Sequence, residues 1–206
     1  ESARFIGAGN TVLHQNGLLI GHNTDGIGFF KSLETLRAFH VRNKRLTILG
    51  GGGASTAIIA QAAIDGAKEI TIFFFPQSVE RTVATVQTIA QSTGVSLQVL
   101  PNNDSQLLAE HINNSDLLIN GTSVGMDGTS LPLPATIRFP EELLVADVIY
   151  QPFETPLLKM ANSQGNPTIN GLGMLLFQAA EAFELWTGKE MPTDLIWQLL
   201  VQKYDI

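Results

Sequence analysis

Four glycines in a row, Gly50-Gly51-Gly52-Gly53, stand between the short apolar run Leu46-Thr47-Ile48-Leu49 and an Ala/Ile-rich stretch at 54–64. This feature restricts the fold more than any other in the chain. A strand that ends in a glycine turn and passes straight into a helix opens a βαβ unit, and Ile70-Thr71-Ile72-Phe73-Phe74 supplies the second strand, so residues 45–74 read as one such unit. The alternation continues with a helix near 78–92, a strand at 96–100 and a helix at 104–112. Strands at 117–119 and 144–149 and a helix at 155–164 follow. Strands alternating with helices predict a mainly parallel sheet covered on both faces, hence an α/β fold.

The flanks read differently. Residues 5–13 and 18–22 resemble two short strands about the turn signal Gln15-Asn16-Gly17. Asn23-Thr24-Asp25-Gly26 offers N-cap chemistry before an amphipathic stretch at 27–39, with Ile27, Phe30, Leu33 and Leu36 in helical register. A long helix at 173–186 and a last one from Thr193 close the chain.

The glycine turn carries chemistry as well as topology. Without side chains a turn can be tight, and a pyrophosphate can approach the backbone at the N-terminal end of the following helix. Gly50, Gly51, Gly52, Gly53 and Ala54 are therefore candidate dinucleotide contacts, although Ser55 stands where a full G-x-G-x-x-G would have its third glycine. The alternative is a plain strand-to-helix turn. No Gly-Lys-Ser/Thr follows, so the loop is not a P-loop.

Composition excludes several other functions. A net charge of -7 without a dense Lys/Arg cluster argues against nucleic-acid binding through phosphates. No apolar run reaches the ~18 residues that span a bilayer. With no cysteine, thiolate catalysis and Cys-based metal sites are absent, and the four histidines (His14, His22, His40, His111) show no metal spacing, so no metal site is expected. These features fit a cytoplasmic protein. The residues after the second strand of the βαβ unit, Phe74-Phe75-Pro76-Gln77-Ser78, include neither the acid that would hold a ribose 2′-OH nor an Arg for a 2′-phosphate. Glu80 and Arg81 lie slightly further on and could serve either cofactor, or be solvated helix residues. NAD or NADP is expected, with NAD preferred.

Several segments then point to one family. Ile6-Gly7-Ala8-Gly9-Asn10-Thr11, Asn23-Thr24-Asp25-Gly26, the glycine turn, Ile119-Asn120-Gly121-Thr122-Ser123-Val124-Gly125-Met126, Asp147-Val148-Ile149-Tyr150-Gln151-Pro152, Thr155-Pro156-Leu157-Leu158 and Gly171-Leu172-Gly173-Met174 with Gln178 and Trp186 occur in order. In this the chain resembles the shikimate and quinate/shikimate dehydrogenases over essentially its whole length. The resemblance implies a Rossmann-like doubly wound parallel sheet at 26–170, remnant strands of an N-terminal α/β substrate domain at 1–25, and C-terminal helices at 171–206 packing back towards that domain. It also implies that about the first third of such an enzyme is absent. That part would carry a catalytic Lys and the Ser/Thr grip on the substrate carboxylate, so the 206-residue chain alone is expected to be inactive.

By the same resemblance, Asp25 is the catalytic carboxylate, and Asn10, Asp25, Tyr150 and Gln178 contact a cyclohexene or cyclohexane carboxylate substrate. Asn120, Thr122, Val124, Met126, Gly171 and Met174 would lie on the nicotinamide side. The implied reaction is hydride transfer between shikimate and 3-dehydroshikimate, or the quinate pair, with no nucleic acid or membrane partner and with a homodimer as the assembly it admits. From the residues alone other readings stand. Asp25 could be an Asx-turn or N-cap residue, Asn10 a turn residue and Tyr150 a packing side chain. Gln178 aligns with an apolar stripe of Gly171, Met174, Leu175, Ala182 and Leu185, where an amide needs partners. A non-catalytic dinucleotide-binding or regulatory module, or a related dehydrogenase acting on a different ring acid, would use the same segments. Departures from the family are Phe74-Phe75-Pro76 in place of the Asn-Arg-Thr of NADP-dependent members, Gly9 for Val and Gln151 for Asn.

Overall fold

The computed structural model describes residues 2–74 and 79–204. A short helix α1 (Ser2–Ile6) leads into the antiparallel hairpin β1 (Thr11–Gln15) and β2 (Leu18–His22). The reading of 5–13 as a strand is thus corrected at its start. Ile6 is buried and Phe5 packs beside it on the main core, while Gly7, at φ 66, ends the helix. The hairpin turn was legible: Asn16 and Gly17 both take positive φ, 52 and 80, as a two-residue hairpin loop demands.

Helix α2 (Asp25–Arg37) follows, and then β3 (Arg45–Leu49), α3 (Gly53–Ile64), β4 (Glu69–Phe74), α4 (Val79–Thr93), β5 (Ser96–Pro101) and α5 (Ser105–Asn113). The rest comprises β6 (Leu117–Asn120), β7 (Leu144–Asp147), α6 (Pro156–Ser163), β8 (Thr168–Ile169), α7 (Leu172–Thr187) and α8 (Thr193–Tyr204). Six strands form a wholly parallel sheet in the order β5-β4-β3-β6-β7-β8, the Rossmann order. The sheet thus grows outward in both directions from β3 and β6, which makes the gap between them the topological switch point.

Alternate strand residues feed two separate cores. Leu46, Ile48, Ile70, Ile72, Leu117, Ile119, Leu144 and Ala146 join one cluster with α2 and α3. Leu49, Phe73, Leu118 and Val145 join the other with α5 and α6. Period-2 alternation with both faces apolar is what a sheet covered on both sides requires.

Three expectations needed adjustment. The two-residue β8 was not anticipated. β7 stops at Asp147 instead of reaching Ile149, because the Asp147 side chain takes up the Ile149 amide at 3.0 Å. Of the expected stripe on α7, Gly171, Met174 and Ala182 are buried, but Leu175 is 41% exposed, and the packed face also takes in Leu172, Gly173, Leu176, Phe177 and Ala180. The helices α2 and α7 meet closely enough that a Cβ on Gly28 would lie 2.3 Å from the Gln178 amide nitrogen. That contact positions both ends of the polar cluster described next.

Candidate functional site

The carboxyl ends of β3 and β6 open onto the switch-point crevice, where α/β sheets bind ligands. The turn after β3 begins with Gly50 at φ 91, its amide donating to the Phe73 carbonyl at 2.7 Å. Gly52 is the N-cap of α3 and supplies no side-chain cap, and the first turn of α3 holds no acidic residue. A Cβ on Gly52 or Gly53 would meet nothing within 4 Å, so both glycines face open space. Bare backbone at an uncapped helix N-terminus fits a pyrophosphate. Gly51 sits within the same turn, while Ala54 turns inward and packs on the core beside α2.

Ser55 accounts for the departure from the glycine fingerprint. It is fully buried, and its hydroxyl donates to the Gly121 carbonyl at 3.1 Å, while the Gly121 amide donates to the Leu49 carbonyl at 2.9 Å. A Cβ on Gly121 would sit 2.0 Å from Ser55 Oγ, and one on Gly50 would sit 2.5 Å from Thr122 Cγ2. The loops after β3 and β6 are therefore interlocked through residues without side chains at the crossing points. Sequence reasoning noted Ser55 but had no sign of its partner.

Beyond β6, Asn120 is fully buried and its amide is engaged internally, with Asp147 at 3.1 Å and the Val124 carbonyl at 3.1 Å. Thr122 donates both its amide and its hydroxyl to Asn120 Oδ1, at 3.1 and 2.7 Å. Of the four nicotinamide-side candidates in this loop, Asn120 thus lies behind the loop, whereas Met126 is 60% exposed on it. Gly171 is packed against the Val148 carbonyl, where a Cβ would approach to 2.0 Å, and Met174 lies in the core cluster.

A second group of candidates is brought together from three elements. Asn10, just ahead of β1, donates through Nδ2 to Asp25 Oδ1 at 2.9 Å and to Thr24 Oγ1 at 2.9 Å, with Gln178 Oε1 at 3.5 Å. Thr24 returns a backbone bond to Asn10 Oδ1 at 3.0 Å and its hydroxyl reaches Gln178 Oε1 at 3.4 Å. Thr24 is buried and was missed by the sequence reading, which placed it only as a cap residue. The cap alternative for Asp25 does not hold. Asn23 Oδ1 takes the Asp25 amide at 3.1 Å, so Asn23 makes the Asx turn and the Asp25 carboxyl is left for other work. Burial pushes that carboxyl above the usual carboxylate range, and the Asn10 hydrogen bond partly opposes the shift.

Tyr150 lies beyond the carboxyl end of β7, 44% exposed, and no hydrogen bond joins it to this cluster among the described residues. Phe75, Pro76, Gln77 and Ser78 and the side chains of Glu80 and Arg81, on which the cofactor choice was read, lie outside the described residues. Among the described residues no group of three or more His, Cys, Asp or Glu could hold a metal ion, and no helix is long and apolar enough to cross a membrane.

Comparison with known proteins gives this geometry a context. The shikimate 5′-dehydrogenase C-terminal domain model matches residues 171–201. The shikimate dehydrogenase (NADP(+)) of Streptococcus suis (strain 05ZYH33) is 80% identical over 206 residues, covering 100% of this chain and 71% of that protein. The protein of the same name from Streptococcus sanguinis (strain SK36) is 57% identical over 203 residues, covering 98% of this chain and 70% of that protein. Among solved structures, shikimate 5-dehydrogenase from Listeria monocytogenes in complex with shikimate and NAD gives a TM-score of 0.91 at 42% identity, over 97% of this chain and 70% of that one. Quinate dehydrogenase from Corynebacterium glutamicum in complex with NAD gives 0.84 at 26% identity, over 97% and 70%. Identity of this degree along the whole chain, on a sheet that superimposes so closely, means that the chain belongs to the shikimate dehydrogenase family.

Proposed function

We propose that this protein interconverts shikimate and 3-dehydroshikimate with NADP as the hydride carrier, and that Asp25 handles the hydroxyl proton. The observation that carries the chemistry is the Asp25 carboxyl itself. Asn23 relieves it of capping, Asn10 orients it at 2.9 Å, and partial burial raises its proton affinity. Oxidation of a secondary alcohol breaks a C–H bond and an O–H bond together. The bound nicotinamide supplies the hydride acceptor. Asp25 takes the proton, a general-base contribution of roughly 10²–10⁴ in rate. Asn10, Thr24 and Gln178 present amide and hydroxyl groups that fit the ring hydroxyls of a polyol acid and fix which carbon faces the crevice.

Gly50–Gly53 would hold the pyrophosphate of a dinucleotide at the switch point, and residues 121–126 would face its nicotinamide end. Ser55 and Gly121 hold those two loops together. Residues 1–25 act as the end of the substrate domain and 171–206 as helices that return to it. The Trp186 indole N–H donating to the Val12 carbonyl at 3.0 Å supports this, tying α7 to the hairpin.

NADP is favoured over the NAD that the sequence suggested, because the relatives at 80% and 57% identity are both named for NADP(+). Shikimate is favoured over quinate because those names specify it, whereas the quinate enzyme is only 26% identical. Steady-state turnover by the protein as its gene encodes it, with shikimate or quinate against NADP+ or NAD+, tests the assignment. The highest kcat/KM is expected for shikimate with NADP+, and a clear preference for quinate or NAD+ overturns the corresponding half.

A further inference from the structure

The strongest unassigned feature is the buried carboxylate of Asp147 at the end of β7. It pairs in strand register with Asn120 at the end of β6, and both are essentially inaccessible to solvent. Four donor contacts converge on its two oxygens. Oδ1 accepts from the Ile149 amide at 3.0 Å and Asn120 Nδ2 at 3.1 Å. Oδ2 accepts from the Thr155 hydroxyl at 2.8 Å and Asn120 Nδ2 at 3.1 Å.

Each donor belongs to a different piece of the crevice wall. Asn120 passes the constraint to the Thr122 amide and hydroxyl and to the Val124 carbonyl, and Thr122 Oγ1 in turn accepts the Val124 amide at 3.0 Å. Thr122 also carries the methyl group that abuts Gly50. Ile149 begins the segment leading to Tyr150. Thr155 caps α6, accepting the Leu158 amide at 3.3 Å. One side chain thus sets the conformation of the 121–126 loop, the 148–155 segment and the start of α6.

The chemistry calls for a carboxylate here. An amide in the same place would set its NH2 against the Asn120 NH2 in either orientation, and in one of them against the Ile149 N–H as well, donor against donor. Burying an ion costs stability, so packing alone would be better served by a neutral residue.

We propose that Asp147 is a positioning residue for hydride transfer, holding the 121–126 loop so that its backbone faces the nicotinamide end of the dinucleotide. This rests on the crevice being the dinucleotide site. A loop displaced by about 1 Å costs roughly 10²-fold in rate when it sets reacting geometry. The Gly50–Gly53 turn has an anchor of its own, the Gly50 amide donating to the Phe73 carbonyl at 2.7 Å, so pyrophosphate contacts there should suffer less than contacts at the nicotinamide end.

The test compares wild type, Asp147→Asn and Thr155→Val, the last removing at constant shape one donor to Asp147 together with the cap on the Leu158 amide. Affinity is measured for NADP+ and for 2′-phospho-ADP-ribose, which lacks the nicotinamide, together with kcat for shikimate. Both variants should bind the fragment within about twofold of wild type, lose several-fold more affinity for NADP+ than for the fragment, and lose kcat by roughly 10- to 100-fold for Asp147→Asn. Equal losses for the two ligands, or an unchanged kcat, overturn the proposal. If Asp147→Asn does not fold, Thr155→Val decides by the same ratio. Failure of wild type to bind either ligand would instead refute the dinucleotide site itself.

Discussion

The crossing of Gly121 over Ser55 can be probed by moving one side chain from one loop to the other. In Gly121→Ala the new Cβ would lie 2.0 Å from Ser55 Oγ, 3.1 Å from Ser55 Cβ and 3.3 Å from the Leu49 carbonyl oxygen. Gly121 is not in the left-handed region, so an alanine there brings no backbone strain and the whole cost is steric. Ser55 is fully buried and cannot swing into solvent. Either it rotates and loses its hydrogen bond to the Gly121 carbonyl, about 1 kcal/mol, or α3 and the β6 loop move apart at the overpacking cost of roughly 1–3 kcal/mol. Gly121→Ala should therefore destabilise by about 1–3 kcal/mol, lowering Tm by roughly 2–12 °C in a chain of this size.

Ser55→Gly alone loses the hydrogen bond and places a glycine in the first turn of α3, for about 1–2 kcal/mol. In the double variant the Ser55 side-chain atoms are gone, and of the three nearest neighbours of the new methyl group at position 121 only the Leu49 carbonyl, at 3.3 Å, remains. The double variant should be more stable than Gly121→Ala alone, with a coupling of about 1–3 kcal/mol in a cycle measured by urea unfolding. The sequence Gly50-x-Gly52-x-x-Gly would then be complete. A Gly121→Ala cost below about 0.5 kcal/mol, or strict additivity of the two substitutions, would refute the interlocked-loop reasoning.

Two further predictions concern the buried carboxyl and the helix crossing. Burial pushes the Asp147 carboxyl up from its ordinary 3.8 to about 6, so the stability associated with its protonated form is complete below pH 3.8 and is lost as pH rises through 6. Relative to Asp147→Asn, wild type should therefore lose about 3 kcal/mol of unfolding free energy between acid and neutral pH, and parallel pH profiles for the two proteins would contradict this. Gly28→Ala would place a Cβ 2.3 Å from the main-chain nitrogen of Gln178, which cannot rotate away, so α7 must shift. The expected results are a loss of about 1–3 kcal/mol and a raised KM for shikimate with little change in NADP+ affinity; an unchanged KM would place Gln178 outside the substrate site.

The sheet was legible because parallel strands buried on both faces appear as unbroken apolar runs, and the glycine turn marks where the first one ends. The hairpin turn had a local signature in Asn16-Gly17, whereas the helix that ends at Gly7 was read as the start of a strand. What escaped reading depends on distant partners. Nothing near Ser55 in sequence announces Gly121, and nothing near Asp147 announces that Asn120 and Thr155 will aim donors at it. Asp25 and Asn10 could be singled out, but only the fold shows that Asn23 makes the Asx turn and that Thr24 completes the cluster. The apolar stripe of α7 was right at Met174 and Ala182 but wrong at Leu175, because the helix packs through small residues against α2, so that Gly173 lies on the buried face and Leu175 on the exposed one.

Asp25 as the proton-handling group of a shikimate-oxidising enzyme is the claim on which the proposed chemistry depends most. The deciding measurement follows shikimate-dependent reduction of NADP+ by the protein as its gene encodes it, beside Asp25→Asn, with NADP+ affinity titrated on both. The predicted result is turnover by wild type, a loss of roughly 10²–10⁴ in kcat for Asp25→Asn, and unchanged NADP+ binding. Turnover preserved in Asp25→Asn would contradict the mechanism. Tight dinucleotide binding with no turnover of shikimate in wild type would leave a binding module in place of the enzyme.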